Sequence, residues 1–550
     1  MPFFKVKKYA SFLFILFLGI GPVSAHVGSS GVLFQGQAGK YRVLVSLQPP
    51  DVIPGTAQVT VYVETGNVKT VMARPIYFRT GAEGAPSADE LMPVLNQKGQ
   101  FQGIVWLMAS GATSVQLTLE GDEGISELVV PVVAISTAER SMPNGLGIML
   151  SLLALLLVVL LVTAIGASAS DGLLKAGIGL TPKQRRARWL NMALATAACT
   201  LILYGGSSWW DSWRDDYRKY AYKPLEGTTK VISKEGERVF QLKIDTASFV
   251  KQRQRTTLSF LIPDHGKLMH LFLVRQNTLD AFAHLHPERR DTTTFEAFLP
   301  KLPAGKYLVY ADIVQRSGFT ETITDTLEIP AFYGKALLKT DPEDTYVVTD
   351  PLNNPKVVPV DENVVICGKP GTKTMLKDGS SVVWESKSDA AFETGKPYQL
   401  SFEVFDPEGK AAILEPYLGM NGHAAIVKSD GSVYVHLHPV GTYSMAAQQS
   451  MQSRIDDTTR IYRYSNDTKA FRDSIDRYIS YLKSIPPTER DALLMNSMTG
   501  HDMKGMEHKN RIEFPYAFPK AGQYRIFLQV KRNGQVLTGI FDANVTNASL

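Results

Sequence analysis

Cysteine is nearly absent from this chain. Its 550 residues hold two, Cys199 and Cys367, and Cys199 lies inside an apolar run. No intramolecular disulfide can therefore link two external residues. No cysteine follows the N-terminal apolar stretch, so a lipid-anchored N-terminus has no support. An excess of charge of either sign is also lacking: the formal net charge is +5 over the whole chain, and part of it sits in one short loop and at the N-terminus. That excludes a nucleic-acid face. The patterns of the common hydrolases and nucleotide binders, Gly-x-Ser-x-Gly, His-Glu-x-x-His and the P-loop, are missing too, so no catalytic set is legible and a non-enzymatic role is expected.

What the chain does have is long apolar runs. Residues 1–25 read as a secretory signal peptide, with Lys5, Lys7 and Lys8 ahead of an apolar stretch from Ser11 to Ile20 and a small-residue end at Val23-Ser24-Ala25. The alternative is an uncleaved N-terminal anchor. Cleavage after Ala25 would leave His26 first, with an amine and an imidazole able to chelate one ion; an ordinary loose N-terminus is the simpler reading. Residues 145–167 are long and apolar enough for a first membrane span, and 189–206, which carry no charge, suit a second. The loop between them, 168–188, holds Lys175, Lys183, Arg185, Arg186 and Arg188 against a single Asp171, which places it in the cytoplasm. Trp209, Trp210 and Trp213 then mark the outer interface. The bulk of the chain is therefore expected outside an inner membrane, in the periplasm.

The external segments alternate apolar and polar residues with period two, as in Tyr41–Gln48 and Ala57–Val63, and are broken by Gly, Pro and Asp. The expected fold is mainly β: three Ig-like β-sandwich domains, a two-helix transmembrane hairpin and a helical insertion in the last domain. The boundaries fall at 26–142, 225–332 and 360–546, with 333–359 as linker and the insertion at 445–510. Helices are expected at Lys469–Ile485 and, after Pro486-Pro487, through Met495, packed over one end of the sandwich as a lid or partner surface.

The scarce residue that recurs in a pattern is histidine. Met269-His270-Leu-Phe-Leu-Val is followed fourteen positions after His270 by His284-Leu-His286-Pro287. Gly422-His423-Ala-Ala-Ile-Val is followed thirteen positions on by His436-Leu-His438-Pro439. Six of the ten histidines lie in these two copies. The Gly305-Lys-Tyr307 and Gly522-Gln-Tyr524 strand starts recur as well, so the repeat is a duplicated domain; Gln100–Leu119 in the first domain is a fainter third echo. Residues two apart on a strand share a face, so His284 and His286 point together, as do His436 and His438. Val433, Val435 and Leu437 take the opposite face. His270 and His423 start strands that hairpin onto these pairs and supply a third imidazole, while Met269 and Met420 are nearby soft donors. Asp312 is a fourth ligand or supporting group for the first copy, and its counterpart Gln529 is a poor ligand, so two unequal sites are expected. The competing reading makes these structural histidines, each satisfied by a backbone carbonyl, since duplication copies those too.

A second cluster, Met495, Met498, His501, Met503, Met506 and His508, packs thioethers and imidazoles into fourteen residues. Such donors suit Cu(I); the competing reading is a loop with incidental methionines.

The Met-His-Leu…His-Leu-His-Pro string resembles the YtkA-like β-sandwich domains of the bacterial envelope, over about residues 225–332 and, more divergently, 395–546. That resemblance implies copper handling, with copper as the metal and zinc as the alternative. The expected role is binding, buffering or delivery of copper at the membrane, with a copper-dependent envelope or respiratory protein as partner. An assembly scaffold with structural histidines is the rival, and a metal-dependent hydrolase ranks last for want of a base.

Overall fold

The structure, a computed structural model, describes residues 26–27, 31–139, 142–170, 174, 177–247, 258–331, 341–352, 364–386, 391–457, 467–496 and 510–548. The signal-type segment 1–25 lies outside them. The chain divides into two compact units, Ile135–Lys223 and the β-rich remainder.

The first unit contains α1 (Asn144–Ser170) and α2 (Pro182–Tyr220), both long and apolar enough to cross a membrane. The second helix starts well before the expected span. Thr181 caps it by accepting from the Gln184 backbone, Gln184 reciprocates, and Pro182 occupies the first turn. Lys183, Arg185, Arg186 and Arg188 thus lie in the first turns of α2 rather than in a loop, and the three tryptophans are on the same helix. No proline interrupts the sequence from Lys183 to Tyr220, so the helix runs on past the apolar stretch.

The β-rich unit is mainly strands, as expected. Domain one is an eight-stranded sheet between Val32 and Ala134. The period-two signal has the expected consequence: in Tyr41–Gln48 every second residue is buried. Domains two and three are each two layers. In domain two the outer sheet runs through Gly227–Lys234, Glu237–Ile244 and Thr294–Phe298. The inner sheet is built on β1 (His270–Arg275), β2 (Ala281–Leu285), β3 (Gly305–Gln315) and β4 (Thr345–Val348). In domain three the inner sheet is built on β5 (His423–Lys428), β6 (Val433–Leu437) and β7 (Gly522–Arg532). The hairpins β1–β2 and β5–β6 form as the short loops required. Tyr307 donates to the Pro303 carbonyl (2.7 Å) and Tyr524 to the Lys520 carbonyl (2.6 Å), the same four-residue link in both copies.

Two boundaries shift. Residues 341–352 of the supposed linker are structured, because β4 adds to the edge of β2 with His284 opposite Thr345; the flanking stretches lie outside the described residues. His26–Val27 joins domain three, pairing in parallel with Val433 and Tyr434 at the edge of β6, an edge strand taking up another chain segment.

The insertion forms α3 (Met445–Asp456), α4 (Thr468–Ser484) and α5 (Pro487–Asn496). Ser444 and Asp467 cap the first two by accepting from Ala447 and Ala470. Ile475 and Ile479 of α4 pack on the core of domain two.

The inner sheets of domains two and three face each other, and this decides the site. Tyr310 stacks on Tyr434 with ring centres 4.2 Å apart, and Phe527 stacks on Phe282 at 4.1 Å. Tyr310 and Phe527 occupy equivalent positions in the repeat, as do Phe282 and Tyr434. The contact is therefore pseudo-two-fold: what domain two does to domain three is returned. Buried Arg525 seals one edge, pairing with Asp542 (2.7 Å) and donating to the Leu279 and Asp350 carbonyls at 3.0 and 2.8 Å. Domain one closes on the loop after β6: Phe34 stacks on Tyr443 (5.3 Å), and Met420, Val440 and Met445 join its apolar core.

Candidate metal centre

The alternation of β6 sends Val433, Val435 and Leu437 into the core of domain three and turns Tyr434 and His436 toward domain two. The same happens in β2, where Ala281, Ala283 and Leu285 face inward. Each histidine face would be half-polar on its own. Facing each other, they bury all six imidazoles together, so the two expected sites adjoin in one cluster. Ring centres of His436 lie 5.2 Å from His270, 5.6 Å from His284 and 5.4 Å from His423.

A seventh histidine joins them. His265 sits in the turn Asp264-His265-Gly266, five residues before His270, and its Nε2 is 3.3 Å from Nε2 of His438. Its backbone is left-handed, φ 51°, a conformation uncommon for any residue but glycine. The sequence reading missed it because it has no counterpart in the second copy. The one available signal was a histidine in a Pro-Asp-His-Gly turn just upstream of the motif.

The nitrogens resolve into two trios with mutually close ligand atoms: His270, His284 and His286 from domain two, and His265, His423 and His438, which straddle the domain boundary. The first trio's members have their outer nitrogens fixed. His270 Nε2 donates to the Asp264 carbonyl (3.1 Å), His286 Nδ1 meets the Asp344 carboxylate (2.9 Å), and His284 Nδ1 donates to Gln529 Oε1 (3.0 Å) and Tyr417 Oη (3.2 Å). The Tyr417 hydroxyl in turn donates a hydrogen bond to the Glu343 carbonyl. In the second trio His438 Nδ1 donates to the Tyr443 carbonyl at 2.8 Å. A neutral imidazole has one N–H. With those protons pointed outward, His270 Nδ1, His284 Nε2, His286 Nε2 and His438 Nε2 turn lone pairs inward. His270 Nδ1 and His284 Nε2 stand 3.1 Å apart with no proton to share. His286 Nε2, His436 Nε2 and both nitrogens of His423 are buried without a partner among the described residues. Unmade buried hydrogen bonds cost ~1–3 kcal/mol each.

Burial holds every trio imidazole of the two motifs neutral. It pushes His270, His286 and His438 down to about 3, and His284 and His423 well below the ordinary value, with His436 beside them shifted the same way. Neutral imidazole is the ligating form.

The supporting residues cross over. Gln529 of domain three holds His284 of domain two, while Asp312 of domain two lies 3.7 Å from His436 of domain three. Asp312 also accepts from Tyr434 (2.8 Å) and Thr322, and burial raises its carboxyl to about 6. Asp312 stands opposite His270 on the neighbouring strand, while its carboxylate is taken up by Thr322 and by Tyr434 of the other copy with His436 3.7 Å away, because the face-to-face docking brings each strand end across. Asp344, which the linker reading overlooked, and Asp341 group with His286.

The methionines fare differently. Met269 is buried in the core of domain two and Met420 in that of domain one, so neither thioether reaches the cluster's polar interior. Met495 is half-buried at the end of α5. Met498, His501, Met503, Met506 and His508 lie outside the described residues.

Comparison with known proteins adds little. Residues 373–463 match a family described as a domain of unknown function, DUF8832. No curated protein matches the sequence. Among solved structures, latent PorU from Porphyromonas gingivalis aligns at 8% identity over 94% of this chain and 34% of its own, with a TM-score of 0.14. A putative membrane anchored protein from Corynebacterium diphtheriae aligns at 9% identity over 95% and 97%, also at 0.14. Invasin, a bacterial integrin-binding protein, aligns at 11% over 92% and 60%, at 0.12. The chain thus spans about a third of PorU and three fifths of invasin. At these TM-scores the likenesses carry no argument.

Proposed function

We propose that this chain is a membrane-tethered, non-enzymatic metal-binding protein of the bacterial envelope, whose β-domains lie in the periplasm and whose histidine cluster binds copper for buffering or delivery to a copper-dependent partner. The observation that carries this reading is that His270 Nδ1, His284 Nε2 and His286 Nε2 turn lone pairs toward one another with no donor among them. A cation is the group that would satisfy them together. Nitrogens held at ~2.0–2.1 Å from one tetrahedral ion stand ~3.3 Å apart, close to the 3.1 Å of His270–His284 and the 3.3 Å of His265–His438. The outward N–H groups anchored on carbonyl, carboxylate and amide oxygens are the usual support of ligating histidines. His270, His284 and His286 would hold one ion, and His265, His423 and His438 a second, with His436 between them. An all-imidazole set suits copper and zinc, and copper forms the tighter complexes.

The test uses the full chain in detergent, stripped with chelator and titrated with Cu(I), Cu(II) and Zn(II). Two ions per chain, bound tighter than micromolar, are expected, with one lost on His284→Ala and the other on His423→Ala. Absence of submicromolar binding, or binding that survives both replacements together, would defeat the proposal. The scaffold reading makes the opposite forecast: thermal stability falls in these variants and chelators change nothing.

A further inference from the structure

Beside the cluster lies a cavity of about 570 Å³ between domain two and the helical insertion. Its walls include Arg316, Met445, Ser453, Phe471 and Leu494, and its floor is the turn carrying Asp264 and His265. Among the described residues His265 is the one histidine of the seven that lines it. The insertion is fitted to this turn: a side chain added at Gly266, φ +78°, would come within 3.1 Å of Leu482 on α4 and 3.5 Å of Leu494 on α5. The cavity is thus framed by α3, α4 and α5, and its floor is a residue of the trio that straddles the two domains.

The two trios differ accordingly. His265 belongs to a left-handed turn that borders the cavity, and its almost wholly buried ring lies against His438 beneath that floor. His270, His284 and His286 are buried on β1, β2 and the turn after it, enclosed by Phe272, Tyr417 and the opposing sheet. Resting on the metal reading above, we infer that the cavity is the exchange port of the centre. Cations enter and leave it as small hydrated complexes, pass at His265, and reach the straddling trio first. The His270–His284–His286 trio exchanges only behind it. The insertion is then the part of this chain that makes one ion deliverable and the other retained.

The full chain in detergent is loaded with Cu(I) and mixed with excess bathocuproine disulfonate, and the coloured complex is followed by stopped flow. Two phases of equal amplitude are expected, at least tenfold apart in rate. Ser453→Trp, at an exposed position on the cavity wall, narrows the port and slows the fast phase at least fivefold without changing the copper bound at equilibrium; Ser453→Ala leaves it unchanged. His265→Ala removes the fast phase and one equivalent while keeping the slow one. Two bound ions leaving in a single phase, or a fast phase indifferent to Ser453→Trp, overturns the port and leaves the metal reading standing. No copper bound at all overturns both.

Discussion

His423→Phe separates a ligand from a structural histidine by the sign of its effect. The ring of His423 is fully buried, and neither nitrogen has a partner among the described residues. In the metal-free protein it bears one unmet donor and one unmet acceptor, each costing ~1–3 kcal/mol. Phenylalanine has nearly the same ring without those polar atoms. After allowing for its slightly larger volume among Tyr417, His265 and His438, with ring centres 5.1–5.2 Å away, a gain of about 2 kcal/mol is expected. For a body of several hundred residues, at ~2.1 cal/mol/K of unfolding entropy per residue, that raises Tm by about 2 °C. With metal in excess the order reverses. The native chain gains ~2.7 kcal/mol at a hundredfold excess over Kd, and the variant loses the share due to the straddling trio. Scanning calorimetry of both proteins, chelated and copper-loaded, gives the four numbers. A chelated variant that melts several degrees below the chelated native protein, with no copper response in either, would refute the reasoning.

Other outcomes follow from the same geometry. Acid weakens the metal-free fold: His270, His286 and His438 titrate near 3 in the fold and near 6.5 when unfolded. The unfolded chain then binds more protons as pH falls below 6.5, so stability is full above that value and declines toward pH 3; urea midpoints across this range measure it. Asp344→Asn removes the anchor of His286 Nδ1 and weakens metal binding ~10–100-fold, measured by competition titration. Phe282→Ala opens the face-to-face aromatic contact and costs ~3–5 kcal/mol with or without metal, which thermal melts under both conditions check. For topology, single cysteines at Leu95 and Ile178 in a chain with Cys199 and Cys367 replaced by serine should differ: in intact cells an impermeant thiol reagent labels Leu95→Cys and spares Ile178→Cys.

The sequence by itself determined the strands, the two apolar helices and the insertion, because period-two and helical apolar patterns are local consequences of which face is buried. It also determined which side chains carry the chemistry: the recurrence of His270, His284 and His286 as His423, His436 and His438 was plain. Even the facing of His436 away from Val435 and Leu437 follows from alternation. What it did not contain was the partner of that face. Two copies of a motif read in a line look like two sites, since each satisfies the spacing for one. Only the stacking of Tyr310 on Tyr434 and Phe527 on Phe282 brings the copies together. That docking recruits His265, which has no copy, exchanges Asp312 and Gln529 between the halves, and withdraws Met269 and Met420 into separate cores. Those relations join residues far apart in the chain, and no local pattern records them; the packing of one buried sheet face against another is what decides them.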